Sequence, residues 1–297
     1  MEKMEMTEIS IPVPWGIIAG KAWGDENNYP VLCVHGVFDN CDALNNLIQL
    51  LPESFYYVCI DFPGHGKSSP YPPGFVLVLL EYISSLLRVV NHFKWDKFYY
   101  LGHSAGSVPG ILLASIVPEK VEKLILIDAY GVMINNIISE LIESFERLLE
   151  LEKRMKESQP PSYTLDEAVE RVLSSRGLEI TSENVKSFIG RSLIQRGEKF
   201  VFTTDQRFKI NPYSLSKDQI KAVVVNIRCP VLFLQATETQ IRLGSFLSES
   251  EFYLDILRDR RNVKIENVEG DHDVHITHPE RLVPHIKSFL FSQLTRL

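Results

Sequence analysis

With 297 residues, of which 45% are hydrophobic, the chain has enough apolar material for a sizeable core, either as one large α/β domain or as two small ones. Its formal net charge of -7 and the lack of any Lys/Arg cluster argue against a phosphate-binding surface, so no nucleic acid is expected and a small-molecule partner is. The first ten residues mix charges without an apolar stretch, and no run approaches the roughly 18–20 apolar residues that cross a bilayer. The expectation is a soluble, cytoplasmic protein with no membrane span. The final Thr295-Arg296-Leu297 has only a partial likeness to a peroxisomal address.

Short β-like runs alternate with helical ones through the first half, at 17–23, 31–35, 56–61, 98–102 and 123–128. That alternation predicts a mostly parallel sheet flanked by helices. Runs such as Val31-Leu32-Cys33-Val34 and Leu124-Ile125-Leu126-Ile127 are apolar on both faces, which suits central strands covered on each side. Between 131 and 228 the pattern changes to amphipathic, charge-laced stretches, among them 137–156 and 165–173, broken by Gln159-Pro160-Pro161-Ser162. The acids Glu140, Glu143, Glu146 and Glu150, with Lys153 and Arg154, read as a solvated helix face. The β signal returns at 230–234 and 263–268, and a helix is predicted over 282–294. One core domain, 1–130 and 229–297, is thus expected to be split by a helical insertion, 131–228. The four cysteines, Cys33, Cys41, Cys59 and Cys229, have no CxxC spacing and read as reduced, buried thiols.

Gly102-His103-Ser104-Ala105-Gly106 is the strongest chemical signal. An apolar strand leads into it and a helical segment leads away, the strand-turn-helix setting of a nucleophile elbow in which Ser104 attacks. The turn is so sharp that positions two before and two after the serine must be small, and both are glycine. Pro109 lacks an amide near the helix start, so an irregular first turn is expected.

A serine hydroxyl needs a base. Of the eight histidines, His272 is best placed, after the last predicted strand and before the final helix; His275 is its nearest rival, and His278 and His285 read as helix-start and surface positions. The acid that would orient the imidazole has two candidates. Asp128 ends the 124–127 run and is favoured, and Glu238, in the loop after 231–234, is the alternative. The oxyanion donors are expected to be the amides of Ala105, directly after the nucleophile, and Val37, which follows His35-Gly36 at a strand end. His35 reads as a loop-ordering residue. Neither HExxH nor a zinc-type Cys/His cluster occurs, so no metal and no cofactor are expected.

Together these residues resemble the α/β-hydrolase superfamily. The markers are the HG turn at His35-Gly36, the loop Asp61-Phe62-Pro63-Gly64-His65-Gly66-Lys67-Ser68, the GHSAG elbow and GDHxxHxxHPE around His272, with Pro279 in the register that family keeps with its histidine. VPWGIIAGKAWG, VLCVHGVFDN and YYVCIDFPGHGKSS are similar, more closely, to the animal serine hydrolase-like branch. The resemblance implies that 131–228 is a cap over the active site. One departure stands out: most relatives carry an aspartate in a GxxD loop after the strand that here is 231–234, whereas this chain reads QATETQ. The expected activity is a serine hydrolase, carboxylesterase-like, that cleaves an ester or similar acyl substrate through an acyl-enzyme on Ser104. The alternatives are a catalytically weak ligand-binding homologue, motivated by that loop, and cofactor-free lyase or oxygenase chemistry in the same pocket.

Overall fold

The computed structural model describes residues 4–77, 79–129, 137–177, 179–210, 215–242 and 247–293. In chain order its strands are β1 (Met6–Val13), β2 (Gly16–Trp23), β3 (Tyr29–Val34), β4 (Phe55–Ile60), β5 (Phe98–His103), β6 (Val121–Ile127), β7 (Leu193–Arg196), β8 (Lys199–Phe202), β9 (Val231–Ala236) and β10 (Val263–Val268). Eight of them form one sheet in the order β1-β2-β4-β3-β5-β6-β9-β10. β1 and β2 pair antiparallel to each other and β2 antiparallel to β4, while the strands from β4 to β10 in that order are parallel. Strand β1, absent from the expected set, supplies the outer edge.

Period-two alternation divides each central strand between two cores. Leu32, Val34, Val58, Ile60, Tyr100, Leu124, Leu126 and Phe233 face one side, against the helices Leu79–His92, Ser107–Ile116, Lys217–Asn226 and Leu247–Arg258. Val31, Cys33, Tyr57, Cys59, Leu101, Ile125 and Leu234 face the other, against Leu44, Leu47, Ile48 and the C-terminal helix Pro279–Phe291. Helix Leu79–His92 shows how its sequence selects this face: Ile83, Leu86, Leu87 and Val90 recur at helical spacing and all turn to the sheet. Each fully buried aliphatic side chain of this kind contributes about 1.5–3 kcal/mol. All four cysteines are free and buried, and burial pushes the Cys33 and Cys41 thiols well up.

The segment between β6 and β9 holds the helices Ile137–Glu157, Leu165–Leu173 and Ser182–Ile189, and to these the structure adds the antiparallel hairpin β7–β8. Helices Leu165–Leu173 and Ser182–Ile189 begin with capping boxes, Thr164 with Glu167 and Thr181 with Asn184, which satisfy the first amides. Ala168, Val169, Ile180, Val185, Phe188 and Ile189 pack together, and the same cluster takes in Ala43 from beyond β3 and Ile276 from beyond β10. Helix Lys217–Asn226 differs from its neighbours in sequence. Although it falls inside the span expected as insertion, Ile220 and Val224 pack into the sheet core. No helix among the described residues is long and apolar enough to cross a membrane.

Candidate active site

Strand β5 ends at His103, and the chain then turns so sharply that Ser104 takes a left-handed backbone, φ 49°. That region is costly for a residue with a side chain and recurs where function demands it. A Cβ on Gly102 would lie 2.6 Å from the Gly106 carbonyl oxygen, and one on Gly106 would lie 2.4 Å from that of His35. The chain can only pass here without side chains. Tyr100 closes the turn by donating its hydroxyl to the Gly106 oxygen at 2.6 Å, and Ser107 Oγ donates to the Gly102 oxygen at 2.8 Å. Ser104–Gly106 is a short 3-10 turn before helix Ser107–Ile116. Pro109 falls in that helix's first turn, where an amide has no partner within the helix, so it does no harm.

His272, on the loop after β10, reaches back over the ends of β5 and β6. Its Nε2 accepts from Ser104 Oγ at 2.8 Å, and its Nδ1 donates to Asp128 Oδ2 at 2.5 Å. Asp128 follows β6 with φ 48°, a second left-handed residue at a strand end, and is fully buried. Its amide donates to the Leu234 oxygen at 2.7 Å and its Oδ1 accepts from the Ala236 amide at 2.9 Å, so β9 fixes the carboxylate. About a third of the His272 side chain is exposed (36%). Crowding works against the charged ring, but the hydrogen bond to Asp128 and the charges of Asp128, Asp273 and Asp39 outweigh it and hold His272 above the ordinary histidine value.

The other expected residues fall elsewhere. Glu238 is half-buried in the first turn of the helix Thr237–Arg242, where its amide donates to the Gly270 oxygen at 3.0 Å. His275 is fully buried, its ring 3.6 Å from that of His103 between centroids. Burial, then the charges of His103 and Arg176, push it well below the ordinary value. His278 stands at the N-cap position of helix Pro279–Phe291 without a side-chain capping bond, and His285 pairs with Glu266 on its flank. Thr295-Arg296-Leu297 lies outside the described residues.

Val37 and Ala105 are both exposed beside the serine turn, Val37 at 41%. The turn that carries Val37 is held from three directions. His35 Nδ1 donates to the Gly36 oxygen at 2.7 Å while its Nε2 accepts from the Phe62 amide at 3.1 Å. The Phe38 amide donates to His65 Nε2 at 3.3 Å, and the Asp39 amide to the Gly36 oxygen at 3.2 Å. Burial lowers both His35 and His65, consistent with neutral rings in these roles. The Asp61 carboxylate gathers the neighbouring loop, accepting from the Cys41 amide at 2.8 Å, the Lys67 amide at 2.9 Å and Arg191 Nε at 2.7 Å.

Sequence reasoning missed the groups behind His272. His103 Nε2 donates to the His272 carbonyl at 2.9 Å; burial, then repulsion from His272, lowers its ring to about 4. Arg176, from the segment between β6 and β9, pairs with both Asp39 and Asp273. The acids on either side of His272, Asp271 and Asp273, were a local sign that a donor had to approach, but nothing in the sequence links them to a residue about a hundred positions earlier. Among the described residues, Asp39, His103 and His275 bring donor atoms within 4.8 Å of one another. The Arg176 guanidinium on Asp39 already supplies the positive charge there.

A profile of the α/β-hydrolase fold family matches residues 29–241. The chain is 34% identical to serine hydrolase-like protein 2 of Homo sapiens, over 96% of this chain and 94% of that one. Among solved structures, a hypothetical protein of Pseudomonas aeruginosa PAO1 superposes with a TM-score of 0.84 at 24% identity, covering 96% of this chain and 99% of that one. An esterase of Mycobacterium tuberculosis superposes with a TM-score of 0.69 at 15% identity, covering 98% and 93% respectively. At such identities the two structures speak for the fold, while the human relative and the family profile speak for descent. The chain belongs to the α/β-hydrolase family, alongside the serine hydrolase-like proteins.

Proposed function

We propose that this protein is a serine hydrolase that cleaves a carboxylic ester or similar acyl substrate, with Ser104 as nucleophile, His272 as base and Asp128 as the acid that orients it. The observation that carries this reading is the unbroken hydrogen-bonded chain from Ser104 Oγ through His272 to Asp128, at 2.8 and 2.5 Å. With Nδ1–H held on Asp128, the Nε2 lone pair faces the serine proton, the tautomer that general-base catalysis requires. Ser104 Oγ attacks the carbonyl carbon as its proton passes to Nε2. The amides of Ala105 and Val37 take the oxyanion, and Nε2–H then protonates the departing alkoxide, leaving an acyl-enzyme. Water, deprotonated by the same nitrogen, releases the acid and restores Ser104.

The segment between β6 and β9, expected to span 131–228, acts in this proposal as the cap that shapes the acyl pocket. Its helices Leu165–Leu173 and Ser182–Ile189 are already seated on the loops after β3 and β10. Phe208 extends the same wall, its ring tilted against that of His65 at 4.3 Å and against that of Tyr82 at 5.5 Å between centroids. The test is covalent labelling by a fluorophosphonate, in parallel with Ser104→Ala and His272→Ala, followed by turnover of acyl esters of graded chain length. The parent should label and both variants should not. A folded parent that stays unlabelled overturns the proposal in favour of a silent binding protein.

A further inference from the structure

Arg176 lies between helices Leu165–Leu173 and Ser182–Ile189, in a segment pressed onto both loops that flank the serine. Its Nη1 donates to Asp273 Oδ1 at 2.7 Å and its Nη2 to Asp39 Oδ1. The two carboxylates are nearly sealed, each 1% exposed. Asp273 adjoins His272, and Asp39 closes the turn that carries Val37. The backbone adds to the grip: the Gly177 amide donates to Asp273 Oδ2 and the Glu179 amide to Asp271 Oδ2, both at 3.3 Å. A Cβ on Gly177 would collide with Asp271 Oδ2 at 1.9 Å, so only glycine lets the chain come this close. The Phe188 ring lies 5.4 Å below the guanidinium.

We propose that Arg176 is a positioning residue for the hydrolytic reaction, bolting the loop that bears the Val37 amide to the loop that bears His272. This rests on the proposed function. A planar guanidinium suits the role because its fork reaches two carboxylates at fixed angles, which an ammonium cannot do. It also sets the local charge. The ionisable groups around His272 are Asp128 after β6, His103 at the end of β5, Asp39 after β3 and, from its own loop and the turn beyond, Asp271, Asp273 and His275, with Arg176 behind Asp39 and Asp273. Asp39 and Asp273 both make the ring more basic, and Arg176 is the cation that offsets them. Without it, two buried carboxylates face the imidazole uncompensated, and His272 holds its proton to higher pH.

The test compares the parent with Arg176→Gln and Arg176→Lys by two readouts: the pH dependence of ester turnover, and an NMR titration of the His272 ring, assigned with His272→Ala. Arg176→Gln should raise the His272 midpoint by about one pH unit and lower the plateau kcat about 10–100-fold, with KM nearly unchanged. Arg176→Lys should keep the parent's midpoint, since charge is retained, yet lose plateau rate. Parent-like midpoint and plateau in the Gln variant overturn the proposal. Should that variant not fold, Asp39→Asn replaces it: its midpoint must fall and its plateau rate must drop, and a parent-like plateau there overturns the proposal. The NMR titration needs no turnover, so an inert parent counts against the hydrolase reading alone.

Discussion

Replacing Asp128 by Asn tests the orienting acid with the least disturbance to the fold. Asn is one of the few residues at ease in a left-handed backbone, so φ 48° at this position is tolerated. Its side-chain oxygen can still accept from the Ala236 amide, as Asp128 Oδ1 does at 2.9 Å. That contact aims the new NH2 group at His272 Nδ1, where Asp128 Oδ2 sits 2.5 Å away. An NH2 there can only donate, so Nδ1 must become the acceptor and the ring proton moves to Nε2. Ser104 Oγ then faces an N–H instead of a lone pair. Inversion of the tautomer in other triads costs on the order of 10³–10⁴ in kcat, about 4–5.5 kcal/mol of transition-state stabilisation. The assay is kcat on an activated ester, with thermal unfolding as the check on folding and Glu238→Gln assayed alongside. A folded Asp128→Asn protein within tenfold of the parent, with Glu238→Gln collapsing the rate, would refute the reasoning and move the acid to the helix that follows β9.

The pH profile of the parent should have its acid limb above 6.5, because Asp128, Asp273 and Asp39 raise His272 and only the neutral ring accepts the serine proton; a midpoint at or below 6.5 in stopped-flow labelling contradicts this. The effect on stability has the opposite sense: the raised value stabilises the fold fully below about 6.5, and the gain disappears as pH rises through the folded-state value. Gly106→Ala should cost about 3 kcal/mol or more and abolish labelling, since its Cβ meets two backbone oxygens, at 2.4 and 2.6 Å, that cannot step aside. Denaturant unfolding with an unchanged midpoint would show that the turn yields. Lys123→Met should destabilise by about 2–3 kcal/mol, because the buried ammonium serves the Phe289, Leu290 and Ser292 oxygens at 2.7–2.8 Å at the end of the last helix. Equal stability of the two proteins in urea would refute that account.

The strands of the sheet centre were legible because they are apolar on both faces, and the serine turn because its glycines are demanded by backbone contact alone. Both are local signals. The edge strand β1 alternates Ile9, Ile11 and Val13 with Glu8, Ser10 and Pro12 in a short stretch and pairs only with β2 on one side, so its pattern is weak. Helix Lys217–Asn226 opens on the polar Lys217, Asp218 and Gln219 and follows a long charge-laced stretch, and only tertiary packing reveals that Ile220 and Val224 belong to the sheet. The chain from Ser104 to His272 to Asp128 could be anticipated from strand ends. The support behind it could not, since Arg176 owes its place to two separate loops and His103 to a carbonyl of the residue it backs.

The strand order has a further consequence. After β3 the chain moves outward to β4, then crosses back to β5 and continues to the opposite edge through β6, β9 and β10. The connection from β3 passes one face of the sheet, through Leu44, Leu47 and Ile48, while those around β5 pass the other, through helices Leu79–His92 and Ser107–Ile116. Neighbouring strands whose exits diverge in this way leave a crevice between them, a vacancy made by topology before any side chain is chosen. Gly36 and Ser104 stand on its two banks. Substitutions in the loops that rim it can therefore retune what the crevice accepts while the sheet beneath is left untouched.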